Sequence, residues 1–247
     1  METISLTIAT ASFNAGVRLD HTRCSVRESI DSLSGIEYLV IDGNSQDGSL
    51  QELLEYPEPY ERVVSEPDKG IYDAFNKALN LARGQYLLFI GAGDMVDPGG
   101  LRELVSLCAT GAGDIIQGDI QQLFPGGKLG KRRRPKFNWL WLRGSHLCHP
   151  AMAVRTSLYR EIGGFDEEYS PASDWLALLK IQDDLVPSYY YTGRIVTRML
   201  VGGISSKIDL ALGRKIVARQ RGDVRGEFFY LYNFLLSIVA QIKRDII

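Results

Sequence analysis

Residues 65–94 read SEPDKGIYDAFNKALNLARGQYLLFIGAGD, and this stretch decides the fold. Apolar residues recur at helical spacing over 71–83, which predicts an amphipathic helix with Gly84 as its C-terminal stop. Residues 85–91, QYLLFIG, form a nearly continuous apolar run, which is typical of a central strand covered on both faces. The apolar face of the helix comprises Ile71, Phe75, Ala78, Leu79 and Ala82.

The same alternation of strand and helix continues toward the N-terminus. It predicts strands over 3–9, 36–41 and 61–65, and helices over 22–34 and 49–56. Such alternation is typical of an α/β fold with a mostly parallel sheet and helices on both faces. Sheets of this kind bind ligands beyond the carboxyl ends of their strands, where the polar clusters SFNAG, DGNSQDG and GAGD lie.

The second half of the chain differs in composition. Residues 125–136, PGGKLGKRRRPK, form a basic loop with six Lys or Arg and no acid. Asp97 followed by Pro98 predicts a helix start. No independent domain boundary is evident. Further predicted elements are strands over 147–154 and 188–200, helices over 155–162 and 173–182, and an apolar helical tail over 226–247.

The composition excludes several classes of protein. The chain has 247 residues, of which 45% are hydrophobic and 23% charged, with a net charge of -2. A nucleic-acid binder would usually be strongly basic, and a disordered chain would be less apolar.

Cys24, Cys108 and Cys148 form neither a disulfide framework nor a zinc pattern, so a reducing cytosol is expected. No signal peptide is evident, and residues 228–240 are too short an apolar stretch for a confident membrane span.

Several nucleotide-binding and catalytic motifs are absent from the sequence. It lacks GxGxxG after the first strand, GxxxxGK[ST], GxSxG and HExxH. What remains is a sheet edge rich in Asp, Gly and Asn. Such an edge suits a phosphorylated ligand held by backbone N–H groups and a hard divalent cation.

Four collinear segments resemble family 2 glycosyltransferases of the GT-A fold. They are SLTIATASFNAG, YLVIDGNSQDGS, the stretch over 65–94, and CHPAMAVRTSLYREIGGFDEEY followed by SDW. The PDKGIYDA…NKAL…ARG…GD pattern resembles the enzymes that build bacterial capsule, colanic-acid-like and O-antigen polysaccharides. The resemblance covers roughly residues 3–205.

The resemblance implies a domain organisation. A GT-A domain over 1–205 would have a nucleotide-sugar-binding half over 1–120 and an acceptor half over 121–205. The basic loop, extended to 125–143, would belong to the acceptor half. Residues 206–247 would form a C-terminal helical tail.

The resemblance also implies the reaction, an inverting hexosyl transfer from a nucleotide-sugar, with a UDP-sugar favoured and Mn²⁺ or Mg²⁺ as cofactor. Asp94 matches the last Asp of the family's DxD motif, which binds the metal. Because Ala92 and Gly93 replace the earlier acidic positions, the metal would be held weakly or mainly by the diphosphate. His149 would be a second ligand or contact the diphosphate. A turn Asp and a structural His are the alternatives.

Besides Asp94, five residues are predicted to bind the donor, and three of them have a structural alternative. Asp42 would accept the N3–H of a uracil or thymine ring, or form an Asx-turn. Lys69 would pair with the nucleobase or diphosphate, or be solvated near a cap. Ser12 and Asn14 would wrap the nucleotide, with a turn role as the alternative for Asn14, and Asn76 would line the donor pocket.

Asp174, in the segment SDW, matches the family's general base, which deprotonates the acceptor hydroxyl. Inversion requires such a base on the face opposite the leaving group. The alternative is an N-terminal Asp that serves the helix dipole. Trp175 would stack on the acceptor sugar or belong to the core.

The resemblance implies a lipid-linked glycan acceptor and a location at the inner face of the cytoplasmic membrane. The basic residues of 125–136 and the aromatic run that follows at 137–142 suit peripheral contact with an anionic bilayer. The apolar tail would add a second contact surface, or would pack on the body or on a second subunit in an oligomer.

Two other functions fit the sequence less well. A nucleotide-sugar-binding relative with weak or no activity is consistent with the reduced GAGD motif. A sugar nucleotidyltransferase would need a Gly-rich basic signature directly after the first strand, which SFNAGVR does not supply.

Overall fold

The computed structural model describes residues 3–30, 33–135, 148–170 and 172–202. The aromatic run at 137–142 and the predicted tail helix lie outside the described residues. The strands are β1 Leu6–Ser12, β2 Ile36–Asp42, β3 Glu61–Ser65, β4 Tyr86–Gly91, β5 Met95–Val96, β6 Ile115–Leu123, β7 Leu129–Arg133, β8 Met152–Arg155 and β9 Tyr189–Leu200. The helices are α1 Val17–Ile30, α2 Gln51–Glu55, α3 Ile71–Leu81, α4 Pro98–Thr110, α5 Thr156–Glu161 and α6 Ser173–Leu185, with short 3₁₀ turns at His149–Ala151 and Glu167–Tyr169.

All nine of these strands join one sheet, in the order β3-β2-β1-β4-β8-β6-β9-β5, with β7 paired to β6. β1 to β4 pair in parallel, and β6 pairs in parallel with β9. β5, β7 and β8 run in the opposite direction. The predicted mostly parallel α/β sheet is therefore confirmed, and its uninterrupted parallel part lies in the first half of the chain.

The core lies on both faces of the sheet. Alternate residues of β4 point to opposite sides, with Tyr86, Leu88 and Ile90 in one buried cluster and Leu87 and Phe89 in the other. Helices α1 and α4 cover the first face, whereas α3 and α6 cover the second. This confirms that the apolar run at 85–91 is a central strand buried on both sides.

Helix α3 forms as the periodicity predicts, but the expected role of Gly84 is wrong. The helix ends at Leu81, and Ala82 is already extended, with φ -60° and ψ 131°. A Cβ on Gly84 would lie 2.3 Å from the backbone N of Thr7 in β1. Gly84 is therefore needed for a close approach of two backbones rather than for a left-handed helix end.

Helix α1 begins at Val17, five residues before the predicted start at residue 22. Its buried face includes Thr22, Ser25 and Ser29, which hydrogen-bond to neighbouring backbone. Because much of this face is polar, the apolar periodicity does not reveal the first turns of the helix.

The basic segment is only partly a loop, which corrects the prediction. Lys131, Arg132 and Arg133 belong to β7, which pairs antiparallel with β6. The strand predicted over 147–154 begins only at Met152, after a 3₁₀ turn that carries His149. The helix expected after Asp97 is confirmed, since the Asp97 carboxylate accepts a 3.1 Å bond from Gly100 N.

None of the helices in the described ranges combines the length and hydropathy that crossing a bilayer requires.

Candidate functional site

The loops after β1 and β2 are joined at the carboxyl end of the parallel strands. The Asn14 backbone N donates to Ser45 Oγ at 2.7 Å, and its side-chain Oδ1 accepts from Gln46 N at 3.0 Å. The Gly16 N–H donates to Asp47 Oδ2 at 2.8 Å. Asn14 has a φ of 45°, a conformation that Asn tolerates better than most residues. These bonds join the polar loop after β1 to the polar loop after β2, so the two loops form one surface.

Asp42, the last residue of β2, is fully buried beneath this surface. Its Oδ2 accepts hydrogen bonds from Ser45 N and Ser65 Oγ, both at 2.8 Å, and its Oδ1 accepts from Ser45 Oγ at 2.6 Å. The carboxylate thus holds the loops after β2 and β3, which corresponds to the turn role named as its alternative. Contact with a nucleobase stays a prediction.

A narrow space lies between the ends of β1, β2 and β3. A Cβ on Gly43 would lie 2.7 Å from Asp68 Oδ2 and 3.1 Å from Phe13 Cδ2, so a larger residue would require these side chains to move. The Phe13 ring is 64% exposed. Ser12 is 4% exposed, and its hydroxyl has no hydrogen-bond partner among the described residues. The exposed face of an aromatic ring such as Phe13 can hold a flat heterocycle.

The turn before α3 is held by its own carboxylates. Asp68 Oδ1 accepts from Gly70 N at 2.9 Å, and Asp73 Oδ2 accepts from Lys69 N at 3.0 Å. The Lys77 ammonium binds a carbonyl of the same turn at 2.8 Å. Lys69 is exposed, so its ammonium can reach an anionic ligand at this edge.

Asp94 is a buried carboxylate at the end of β4, with 6% exposure. Its Oδ2 accepts from Gly91 N at 3.0 Å and its Oδ1 from Leu200 N at 2.8 Å. Burial raises the pKa of Asp94 to about 6, although the two hydrogen bonds act in the opposite direction.

One side of the Asp94 carboxylate is left open by a glycine. A Cβ on the exposed Gly91 would lie 3.2 Å from Asp94 Oδ2, so the missing side chain leaves space for a small ligand. Within the described ranges, no group of three or more His, Cys, Asp or Glu is arranged to hold a metal. The residues therefore fit a hard cation that takes one protein carboxylate and finds its other ligands on a phosphorylated substrate.

Arg18 lies beside this loop and was missed by the sequence analysis, because α1 begins earlier than predicted. Thr22 Oγ1 donates to the Asp94 carbonyl and accepts from Gly93 N, both at 2.8 Å. Arg18 precedes Thr22 by one helical turn, and its Cβ and Cδ lie 3.6 Å from where a Cβ of Gly93 would be. Arg18 is exposed and forms no ion pair with an acid in the described part of the chain.

Asp174 lies in the first turn of α6, with its side chain 29% exposed. Its Oδ1 accepts from the Tyr72 hydroxyl and from Trp175 N, both at 2.9 Å. Tyr72 belongs to the first turn of α3, so this bond joins the two halves of the chain. Burial and the nearby carboxylate raise the pKa of Tyr72, which keeps its hydroxyl protonated as the donor.

His149 lies beside Asp174. Its Nδ1 is 3.8 Å from Asp174 Oδ2, and its Nε2 is 3.1 Å from the Tyr159 hydroxyl. Burial lowers the pKa of His149, against the opposing effect of Asp174, and its ring stacks on Phe89. Both ring nitrogens thus face other side chains, and the role of His149 as a metal ligand stays a prediction.

Asn76 and Trp175 both make contacts that hold neighbouring segments of the protein in place. The Asn76 amide donates to the Phe165 carbonyl and accepts from Phe165 N, both at 2.8 Å, which fixes the segment before α6. Trp175 is half-buried and packs against a small cluster of Tyr169, Ala172 and Leu176. Donor contact by Asn76 and acceptor stacking by Trp175 stay predictions.

Comparison with known sequences finds glycosyltransferases among the relatives of this chain. The sequence model described as "Glycosyl transferase family 2" matches residues 7–163. A PGL/p-HBAD biosynthesis glycosyltransferase of Mycobacterium bovis is 29% identical over 156 residues, which are 56% of this chain and 55% of the relative. An uncharacterised glycosyltransferase of Mycobacterium tuberculosis is 29% identical over 189 residues, covering 71% and 68% of the two chains. The chain thus spans about half the length of the first of these relatives.

Solved structures share the fold at low sequence identity. S. aureus TarS residues 1–349, solved with UDP-GlcNAc, align with a TM-score of 0.70 and 17% identity over 86% of this chain and 65% of that one. The mannosyltransferase PcManGT of Pyrobaculum calidifontis, solved with GDP-Man and Mn²⁺, aligns with a TM-score of 0.61 and 15% identity over 95% and 80% of the two chains. The predicted GT-A fold is confirmed, and the match of the family model over most of the chain shows that it belongs to glycosyl transferase family 2.

Proposed function

We propose that the chain is an inverting glycosyltransferase that moves a hexosyl group from a nucleotide-sugar to an acceptor hydroxyl. The observation that carries this proposal is the partly exposed Asp174 carboxylate, which the acceptor half contributes and which Tyr72 of the donor half binds. Two proteins of the same fold were solved with UDP-GlcNAc and with GDP-Man, which supports a nucleotide-sugar donor. A UDP-sugar is the favoured donor.

The reaction proceeds by in-line displacement. Asp174 takes the proton of the acceptor hydroxyl while its oxygen attacks the anomeric carbon from the face opposite the nucleotide. The bond between that carbon and the diphosphate oxygen breaks, and the nucleoside diphosphate leaves with the negative charge. Arg18 and Lys69 lie at the sheet edge where that charge develops and would stabilise it.

A divalent cation, Mn²⁺ or Mg²⁺, would be held by Asp94 together with the donor diphosphate. Bound there, it would neutralise charge on the leaving diphosphate as a Lewis acid. The opening left by Gly91 gives the cation access to Asp94 Oδ2. The presence of Mn²⁺ in the PcManGT structure supports this cofactor class.

The nucleotide would occupy the surface formed by the loops after β1, β2 and β3. Lys69 offers an exposed ammonium there, and the buried Ser12 hydroxyl, which has no partner among the described residues, lies at the end of β1. Asn14 and Asp42 would act mainly by holding the loops in shape, and Asn76 by holding the segment before α6. The acceptor would approach from the side of Trp175.

The acceptor would be a lipid-linked glycan at the inner face of the cytoplasmic membrane, with peripheral contact through the basic hairpin of β6 and β7. Lys128, Lys131 and Arg133 are exposed there, and no ion pair holds them within the described residues. A role in nucleic-acid binding is not proposed, because the net charge is -2.

The proposal is tested by substituting the general base. Asp174→Asn keeps an oxygen for the Tyr72 hydroxyl but cannot take a proton. Nucleotide release from a panel of UDP-, dTDP- and GDP-sugars with Mn²⁺ should fall by about 10²–10⁴-fold, while the calorimetric donor affinity stays within about twofold. Asp184→Asn, on the exposed end of the same helix, is the matched control.

Three outcomes would contradict the proposal. Normal turnover of Asp174→Asn would place the base elsewhere. Donor binding by the wild type without nucleotide release from any sugar would favour a binding role. Release of pyrophosphate from a nucleoside triphosphate and a sugar phosphate would identify a nucleotidyltransferase.

A further inference from the structure

The two carboxylate oxygens of Asp174 have different surroundings. Oδ1 accepts two hydrogen bonds at 2.9 Å, from the Tyr72 hydroxyl and from Trp175 N. Oδ2 has His149 Nδ1 at 3.8 Å, which is too long for a hydrogen bond. Oδ2 is therefore the oxygen that is open to a new donor such as an acceptor hydroxyl.

The Tyr72 hydroxyl determines which oxygen is open. A carboxylate rotates freely about χ2 unless a partner holds it, because that torsion has broad minima. The Trp175 N–H adjoins Asp174 in sequence and moves with it, whereas Tyr72 is 102 residues away on another helix. Among these partners, Tyr72 is the one that fixes the carboxylate relative to the rest of the site.

The Tyr72 ring is itself held firmly. The residue is 4% exposed, and its ring stacks on Phe165 at 6.1 Å and meets Phe75 edge-on at 5.5 Å. Phe165 is in turn fixed by two backbone hydrogen bonds with the Asn76 amide, one accepted by its carbonyl and one donated by its N–H. The Tyr72 hydroxyl therefore has a defined position. In sequence, Tyr72 follows the turn that carries Lys69 and Gly70.

We propose that Tyr72 is a positioning residue, which orients Asp174 so that Oδ2 faces the acceptor hydroxyl and ties the general base to the donor-binding turn at Lys69. This inference rests on the proposed role of Asp174. It assigns Tyr72 a hydrogen bond donated to Asp174 and no proton transfer. A displaced base slows the chemical step without weakening the binding of the donor.

The test removes only the hydroxyl. Tyr72→Phe should lower kcat for nucleotide release by about tenfold, the effect of one lost hydrogen bond to a charged group. The donor KM and the calorimetric donor affinity should stay within about twofold. Tyr86→Phe is the matched control, because it removes a buried hydroxyl that bonds the Gly113 carbonyl away from Asp174.

A second measurement does not depend on turnover. In protein labelled with ¹³C at the Asp carboxyl carbons, the Asp174 signal is identified by its loss in Asp174→Asn. Tyr72→Phe should shift that signal, and Tyr86→Phe should leave it in place. An unmoved Asp174 signal in Tyr72→Phe, or a wild-type kcat in that variant, would overturn the inference.

The inference and the proposed function fail in different ways. If Asp174→Asn is inactive and Tyr72→Phe has normal kcat, the general base stands and the positioning role is wrong. If both variants turn over normally, the assignment of Asp174 itself is wrong.

Discussion

At the scale of single residues, Asp94 combines two properties that normally oppose each other. Burial raises its pKa toward neutrality, yet two backbone N–H groups stabilise the ionised carboxylate and Gly91 leaves space beside it for a cation. Proton and cation therefore compete for the same carboxylate. A more exposed Asp would release its proton well below neutral pH.

This competition predicts the pH dependence of donor binding. The pKa of Asp94 is raised to about 6, so the fraction of ionised Asp94 falls as the pH drops through that value. Mn²⁺-dependent affinity for the active sugar nucleotide, measured by calorimetry, should be constant above about pH 7 and about tenfold weaker at pH 5. Asp94→Ala should lose the Mn²⁺ dependence at every pH. A wild-type affinity that is flat from about pH 5 to 8 would contradict the prediction.

The partners of Asp174 and Asp94 show where residue-level prediction stops. The segment SDW identifies Asp174 through its resemblance to the family, but its contact with Tyr72 spans 102 residues and leaves no local signal. Likewise, the hydrogen bond from Leu200 N to Asp94 spans 106 residues. Chemistry that depends on such pairs becomes visible only when the fold brings them together.

At the scale of elements, regular periodicity was the reliable guide. Apolar residues recur every 3.6 residues in helix α3 and follow one another without a break in strand β4, so both elements were predicted. Strand β6, with the sequence IIQGDIQQL, was not predicted, because the polar residues Gln117 and Asp119 are buried in it and interrupt its apolar pattern. Their partners come from elsewhere in the chain, such as the Cys148 carbonyl for Gln117 and Arg132 for Asp119.

The contact between Asn76 and Phe165 gives a prediction at this scale. Asn76→Ala leaves the backbone N–H and C=O of Phe165 without their partner, which should cost about 1–3 kcal/mol of unfolding free energy. The melting temperature should fall by about 2–4 °C for each kcal/mol lost. Asn80→Ala, on the exposed face of the same helix, makes the same substitution without that contact. Equal melting temperatures for the two variants would contradict the prediction.

At the scale of the whole molecule, the basic hairpin of β6 and β7 presents charge on one surface. Arg132 and Arg134 are committed to the buried Asp119, at 2.5 and 3.8 Å. Lys128, Lys131 and Arg133 are the exposed cations available to an anionic partner. Only these three should be changed in a test of membrane contact, because the Asp119 pairs are part of the fold.

We expect salt-sensitive flotation of the protein with vesicles that contain anionic lipid. Each basic residue near such a surface contributes about 1 kcal/mol, so changing Lys128, Lys131 and Arg133 to Gln should weaken binding by roughly two orders of magnitude. The control changes Arg27, Arg102 and Lys180 to Gln, with the same loss of charge elsewhere. A wild-type protein that stays unbound at low salt, or equal loss in both triple variants, would defeat the idea.

The strand order has a consequence for synthesis of the chain on the ribosome. Strands β1 to β4 emerge first and pair with one another, but β9 inserts between β6 and β5 only at the end. Until Leu200 leaves the exit tunnel, Asp94 lacks one of its two N–H partners, and Asp174 meets Tyr72 only a little earlier. A nascent chain can therefore assemble its parallel sheet well before the contacts of Asp94 and Asp174 are complete. The proposed sugar transfer would begin only after β9 has been translated.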